Sequence, residues 1–161
     1  MELAITGEMM TLAIGTQAPN FTLRDQDKNE ISLSDFKGHN TLVVFIPFPF
    51  TGICDNEGCQ LRDGLGGMDN VDAKVVIITV HAIPTNAKWA EENGFEFPVL
   101  ADYWPHGEVA KAYGAFNDAL GCANRVTYVL DAEGVVRDVV STDSLGTPRE
   151  YELYGKALAA I

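Results

Sequence analysis

Two uninterrupted apolar runs constrain the fold more than any other feature of this chain. Residues 41–46 (TLVVFI) and 73–80 (AKVVIITV) are rich in β-branched side chains and hardly alternate with polar residues. Runs of this kind are typical of strands buried on both faces. Residues 53–65 have helical content, and residues 84–93 predict a second helix, with proline at its start and glycine after its end. The β-α-β-α order therefore predicts parallel strands joined by helical crossovers.

The remaining segments complete an α/β plan. Residues 21–23 and 31–33 alternate in polarity on either side of a polar stretch, which predicts a β-hairpin. Further predicted elements are a short helix at 109–113, an antiparallel strand pair at 125–131 and 135–141, and a closing helix at 148–161. Together they predict a thioredoxin-like α/β fold with a central mixed sheet, helices on both of its faces and an N-terminal β-hairpin.

The chain has the size of one domain. Its 161 residues are 47% hydrophobic, enough for one core, and no repeat, low-complexity tract or linker divides them. We expect a single domain over residues 12–161 and a flexible extension over residues 1–11.

The charge balance disfavours several classes of partner. Eleven Lys and Arg against 23 Asp and Glu leave a formal net charge of −12, which repels nucleic acid and anionic lipid. No apolar run approaches the ~18 residues of a membrane span, and residues 1–15 contain no Lys or Arg of a secretory leader. We therefore expect a cytoplasmic protein that binds neither nucleic acid nor membranes.

The three cysteines are Cys54, Cys59 and Cys122, an odd number and too few for a disulfide framework. We interpret them as thiols in a reducing compartment. Cys54 and Cys59 lack the second pair of ligands that a zinc site needs, and no histidine has the spacing of a metal ligand beside them. We expect no metal site.

Cys54 has an unusual local sequence. Residues 47–54 (PFPFTGIC) follow a buried strand and precede a helix, so Cys54 is expected in the first helical turn, where free backbone N–H groups and the helix dipole favour an anion. A thiolate alone gains little rate, because its nucleophilicity falls with its basicity. When a thiolate attacks a substrate, negative charge builds up on the atom that leaves, so hydrogen-bond donors aimed at that atom are also needed. The Thr51 hydroxyl and the loop amides are candidates for these donors. Pro47 and Pro49 stiffen the loop before Cys54 and exclude water from the site around its sulfur.

These residues resemble a known family. Pro47, Thr51 and Cys54 stand in the P-x-x-x-T-x-x-C pattern of the peroxiredoxins, the AhpC/TSA family, and the resemblance extends over about residues 12–160. In that family an arginine from a later strand completes the site, and Arg125 is similar to it. The resemblance implies the peroxiredoxin variant of the thioredoxin fold, with no metal and no organic cofactor. It also implies reduction of hydrogen peroxide, organic hydroperoxides or peroxynitrite through a sulfenic acid at Cys54.

The subclass is mixed. Residues 47–54, 102–107 and 123–125 resemble the AhpE-type one-cysteine peroxiredoxins. Cys59 instead resembles the resolving cysteine of the Q-type class, the bacterioferritin comigratory proteins, and Glu57 matches that class as a supporting residue. The resemblance further implies a hydroperoxide substrate, a reducing thiol and a homodimer packed through faces near the active site. The reductant could be thioredoxin, a glutaredoxin-like protein or a low-molecular-weight thiol.

Resolution of the sulfenic acid is a question of geometry. Five helical residues rise about 7.5 Å, whereas a disulfide needs Cα atoms within about 4.4–6.8 Å. Cys54 and Cys59 therefore cannot bond unless the helix unwinds, which Gly58 makes less costly. Cys59, Cys122 or an external thiol could resolve the sulfenic acid. Cys122 is more readily interpreted as a small buried apolar residue.

Two other functions compete with peroxide reduction. A thioredoxin-like disulfide exchanger or redox sensor would use Cys54 and Cys59, but such carriers have a Cys-x-x-Cys pair. In such a protein Thr51 and Arg125 would have no task. A zinc-binding structural module ranks last.

Overall fold

The structure is a computed structural model, and it describes residues 10–64 and 73–161. The predicted flexible extension falls almost entirely on residues 1–9, outside the described residues. Its boundary therefore stays a prediction, as does the single domain over residues 12–161.

The described residues form nine strands, four α-helices and one 3₁₀ helix. The strands are β1 (Thr22–Arg24), β2 (Glu30–Ser32), β3 (Asn40–Phe45), β4 (Ala73–Thr79), β5 (Val99–Ala101), β6 (Phe116–Asn117), β7 (Cys122–Ala123), β8 (Val126–Leu130) and β9 (Val136–Ser141). The helices are α1 (Gly52–Gly64), α2 (Ile83–Asn93), α3 (Glu108–Ala112) and α4 (Glu152–Ala159), and the 3₁₀ helix spans Leu33–Phe36.

Seven of these strands form one mixed sheet in the order β2-β1-β5-β4-β3-β8-β9, and β6 pairs with β7 separately. Strands β3, β4 and β5 are parallel, whereas β8 and β9 add antiparallel strands on one side. The β1–β2 hairpin joins the other side through β5. The predicted mixed sheet with an N-terminal hairpin is therefore confirmed.

Both faces of the sheet are covered, which explains the continuous apolar runs. In β3, Leu42 and Val44 point to the face covered by α1, α2 and α4. Val43 and Phe45 point to the opposite face, where α3 and Tyr113 pack. All four β3 side chains are completely buried.

The structure corrects some predicted boundaries. β5 was not predicted, because three residues are too short to show a periodicity, yet it joins the hairpin to the parallel strands. The closing helix begins at Glu152 rather than at residue 148, and in the segment before it the backbone N–H of Arg149 donates to a glutamate side chain. The predicted last residue of α1, residue 65, lies outside the described residues.

Parallel strands place their carboxyl ends at one edge of the sheet. At this edge the ladder continues past β3, where the Ile46 N–H donates to the Ile78 carbonyl over 3.1 Å. The chain segments after β3, β4 and β5 therefore gather there, and α1 begins beside them.

Among residues 10–64 and 73–161, no helix combines the length and the apolar character needed to cross a bilayer.

Candidate active site

Cys54 is the third residue of α1 and is completely buried. A tight turn precedes it, in which the Thr51 hydroxyl donates to the Phe48 carbonyl over 2.7 Å. The helical hydrogen bonds start at Thr51, whose carbonyl accepts from the Asp55 N–H at 2.8 Å. The sulfur thus lies in the first helical turn, as expected from the sequence, where backbone N–H groups are not used by the helix itself.

Arg125 contacts this sulfur directly. Its Nη1 donates to the Cys54 Sγ over 3.2 Å, and its Nε donates to the Leu145 carbonyl over 2.6 Å. Arg125 directly precedes β8, the antiparallel neighbour of β3, so the sheet brings it to the end of β3 where Cys54 follows. Only 4% of Arg125 is exposed, which keeps this charge–sulfur contact away from solvent screening.

Glu57 lies one helical turn after Cys54 and holds two arginines. Its Oε1 accepts from Arg125 Nη1 and from Arg149 Nη2, each over 2.7 Å. Its Oε2 accepts from the Arg149 backbone N–H at 2.8 Å and from Arg149 Nε at 3.0 Å. Arg149 also donates to the Phe45 carbonyl at the end of β3. The carboxylate thus fixes the position of Arg125 while Arg149 fixes the carboxylate.

The charges of this cluster favour an ionised Glu57. Burial alone would raise the pKa of Glu57, but the hydrogen bonds and charge of Arg149, together with the charge of Arg125, lower the pKa below its ordinary value of 4.5. Two guanidinium groups and one carboxylate leave one excess positive charge in the cluster. Cys54 lies beside that excess charge.

Pro47 and Thr51 lie on the loop that leads from β3 to Cys54. Pro47 is buried, and its carbonyl lies 3.3 Å from the Nε2 of His81. Thr51 is exposed, and its proton is used on Phe48, so the hydroxyl is not free to donate to a departing atom as the sequence suggests. Its oxygen lone pairs stay available as acceptors. The structure therefore joins Cys54, Glu57 and Arg125 by direct contacts and places Pro47 and Thr51 in the adjoining turn.

The Cys59 side chain points away from the Cys54 sulfur and towards α2. It is half-buried on the intact helix α1, and its Sγ donates to the Asn93 Oδ1 over 3.5 Å. Asn93 ends α2, and its carbonyl accepts from Arg62 Nη1 at 2.6 Å. Earlier in α1, Asp55 Oδ1 accepts from the Trp89 indole over 2.6 Å. These contacts attach α1 to α2 and hold Cys59 against α2.

Cys122 lies in β7 with 1% of its surface exposed. Burial raises the pKa of the Cys122 thiol to about 11, and the charge of Cys54 adds to that rise. Cys54, Cys59 and Cys122 are all free thiols. Among residues 10–64 and 73–161, no group of three His, Cys, Asp or Glu side chains could hold a metal ion.

Sequence reasoning missed Arg149. Its one local signal is its position between Pro148 and Glu150, shortly before α4. Its contact with Glu57 spans 92 residues and depends on how α4 packs on the sheet, which no local pattern shows.

Comparison with known proteins decides the family. A profile of the AhpC/TSA family matches residues 14–139. The chain belongs to this family. Alkyl hydroperoxide reductase E of Mycobacterium tuberculosis (strain ATCC 25618 / H37Rv) is 45% identical over 151 residues, covering 93% of this chain and 98% of the relative. The putative peroxiredoxin bcp of Haemophilus influenzae is 30% identical over 137 residues, covering 81% of this chain and 87% of the relative.

Solved structures agree with the family. Peroxidoxin BcpB from Mycobacterium tuberculosis superposes with a TM-score of 0.80 at 28% identity, covering 93% of this chain and 98% of that chain. AhpC of Enterococcus faecalis superposes with a TM-score of 0.82 at 24% identity, covering 94% and 92%, which shows the shared fold. The peroxiredoxin variant of the thioredoxin-like fold is confirmed, and so is the predicted class of enzyme, a thiol-dependent peroxidase.

Proposed function

We propose that Cys54 is the peroxidatic nucleophile and that Arg125 and Thr51 stabilise the peroxide during attack. The observation that carries this proposal is the 3.2 Å contact between Arg125 Nη1 and Cys54 Sγ. The two guanidinium groups and the single carboxylate around Cys54 leave one positive charge in excess. A thiolate at Cys54 supplies the negative charge that balances it. A buried ion cluster is stable only when its charges are paired in this way.

The reaction is a two-electron transfer from sulfur to oxygen. The Cys54 thiolate attacks the terminal oxygen of the hydroperoxide, so that an S–O bond forms while the O–O bond breaks. The electron pair of the broken bond stays on the departing oxygen, which takes up a proton and leaves as an alcohol or as water, or leaves as nitrite when the substrate is peroxynitrite. Cys54 remains as a sulfenic acid. Arg125 is placed to donate to the departing oxygen as its charge grows.

Hydrogen peroxide, organic hydroperoxides and peroxynitrite are the proposed substrates. The relative with 45% identity is named an alkyl hydroperoxide reductase, which supports the organic hydroperoxides. Pro47, buried at the site, is proposed to exclude water from the sulfur.

A reducing thiol completes the proposed cycle. While α1 is intact, the rise along the helix keeps Cys59 from the Cys54 sulfur, so resolution that leaves α1 folded is assigned to an external thiol. Resolution by Cys59, giving a Cys54–Cys59 disulfide, requires the first turns of α1 to unwind and the Asn93 and Trp89 contacts to break. The reductant is proposed to be thioredoxin, a glutaredoxin-like protein or a low-molecular-weight thiol.

A homodimer is the proposed assembly. Large apolar side chains are exposed in the loops at or near the active-site edge of the sheet, with exposed fractions of 45% for Phe50, 55% for Tyr103, 82% for Trp104 and 60% for Leu120. Burying such side chains against a second copy would remove apolar surface from water. Sedimentation of the wild type and of Trp104→Glu tests this assembly, because the variant should shift a dimer towards monomer.

The proposed compartment is the cytoplasm, where free thiols such as those of Cys54, Cys59 and Cys122 stay reduced.

Stopped-flow oxidation with one equivalent of hydrogen peroxide or a fatty-acid hydroperoxide tests the proposed function. The wild type and Cys59→Ser should both be oxidised rapidly, and a sulfenic-acid trap should label Cys54 in mass spectra. Cys54→Ser should lose the fast phase. A fast phase that survives in Cys54→Ser would overturn the assignment of the nucleophile.

A further inference from the structure

His81 stands at the active-site edge of the sheet, two residues after the end of β4. β4 runs parallel to β3, so the residue positions after both strands lie side by side. His81 follows β4 as Pro47 follows β3. The ring is half-buried and tilted against the Phe48 ring, with 6.2 Å between the centroids.

The ring forms a hydrogen bond with Pro47, on the loop that leads from β3 to Cys54. His81 Nε2 lies 3.3 Å from the Pro47 carbonyl oxygen. Because a carbonyl oxygen can only accept, the proton of this hydrogen bond must be on Nε2. Pro47 lies beyond the last residue of β3, where the ladder with β4 ends, so its carbonyl needs a partner outside the sheet. His81 provides it.

The backbone of His81 is itself held in place. Its N–H donates to the Thr79 Oγ1 over 3.1 Å, and that hydroxyl donates to the Asn86 Oδ1 over 2.7 Å. Thr79 and Asn86 are both completely buried. The bend after β4 is thus tied to α2, and the imidazole is presented to Pro47 from a rigid support.

The ring reaches a loop whose geometry matters for the reaction. Residue 48 contacts the His81 ring through its side chain and accepts the Thr51 hydroxyl through its carbonyl. Movement of the Pro47–Phe48 peptide would therefore also move Thr51, which directly precedes α1 and the Cys54 turn. Burial lowers the pKa of His81 below its ordinary value of 6.5, so the ring is neutral at neutral pH.

We propose that His81 is a positioning residue for the peroxide step. Its Nε2–H holds the Pro47 carbonyl and thereby the loop that sets Thr51 and the entrance to the Cys54 sulfur. It donates to the backbone and takes no part in proton transfer to the peroxide. The inference rests on the proposed peroxidase reaction at Cys54.

The test compares two reactions of the same sulfur. One is oxidation by hydrogen peroxide, which needs the loop geometry, and the other is alkylation by iodoacetamide, which needs a reactive and accessible thiolate. His81→Leu removes the donor and should slow the peroxide reaction about tenfold while alkylation of Cys54 stays within about twofold. His81→Gln carries an N–H at a similar reach and should restore the peroxide rate to within about threefold of the wild type. His81→Asn is too short to reach Pro47 and should resemble the leucine variant.

His106 offers a matched control. It is also half-buried, and its Nε2 lies 2.7 Å from the carbonyl oxygen of Gly121 rather than from that of Pro47. His106→Leu should leave the peroxide rate within about threefold. An unchanged rate in His81→Leu, an equal loss in both reactions, or an equal loss in His106→Leu would overturn the proposal. A wild-type protein that does not react with peroxide would overturn the proposed function itself, whatever residue stands at position 81.

Discussion

Arg149 binds both carboxylate oxygens of Glu57, although the two residues lie 92 positions apart in the chain. The same carboxylate accepts from Arg125, which contacts the Cys54 sulfur. The cationic group at the sulfur is thus held by a buried ion cluster rather than by its own strand alone.

Glu57→Gln removes the single negative charge between two buried arginines. We expect the variant to lose about 3 kcal/mol or more of unfolding free energy at pH 7, because one carboxylate stabilises both cations. The folded-state pKa of Glu57 lies below its ordinary value of 4.5, so its contribution to stability is present above that pH and is lost as the pH falls towards the folded-state pKa. Urea unfolding of the wild type and of Glu57→Gln from pH 7 to pH 3 should show the difference in their unfolding free energies shrinking below pH 4.5. An equal gap at both ends of the range would contradict the assignment.

Gly58→Ala tests the packing of α1. A Cβ at residue 58 would lie 2.5 Å from Cζ of Phe95, whose ring is buried and in contact with the Trp89 and Phe97 rings. We expect a loss of about 1–3 kcal/mol in unfolding free energy, although alanine is the better helix former. Gly52→Ala is the control, since nothing lies within 4 Å of its Cβ position. A stabilised Gly58→Ala variant would show that the ring moves freely.

Asn93→Ala tests whether the α1–α2 contacts delay disulfide formation. The variant removes the acceptor of the Cys59 thiol and the amide that donates to the Trp89 carbonyl. We expect the Cys54–Cys59 disulfide to form about threefold to tenfold faster after one equivalent of peroxide, as followed by quenched mass spectrometry. Gln60→Ala changes an exposed residue of the same helix and should leave the rate unaltered. Equal rates in all three proteins would mean that these contacts do not control unwinding.

Cys122 should be inert. Burial, together with the charge of Cys54, raises the pKa of its thiol to about 11, so almost no thiolate is present at pH 8. Iodoacetamide treatment of the native protein at pH 8 should leave Cys122 unmodified in peptide mass spectra. Cys122→Ala should react with peroxide within about threefold of the wild-type rate. Rapid alkylation of Cys122, or a large loss of rate in the variant, would assign the thiol a part in the cycle.

The parts of the site that local sequence determines were predictable. Residues 47–54 follow a buried strand and open a helix, and the structure places Cys54 in its first turn. The contact between Arg125 and Cys54 was expected only through the family resemblance. Arg149 and His81 were not predicted, since their partners come from distant segments that the sheet order brings together. A three-residue strand, β5, carries part of that order and shows no periodicity of its own.

The role of Arg125 at the Cys54 sulfur is tested most directly by the second-order rate constant of Cys54 oxidation in Arg125→Met and Arg125→Lys, measured by stopped flow with hydrogen peroxide. Far-ultraviolet circular dichroism and urea unfolding would verify that both variants fold. We expect a loss of about 100-fold or more in Arg125→Met, because the guanidinium that faces the sulfur is then absent and only backbone N–H groups remain as donors to the departing oxygen, and a smaller loss in Arg125→Lys. A folded Arg125→Met variant that reacts within threefold of the wild-type rate would contradict the assigned role of Arg125.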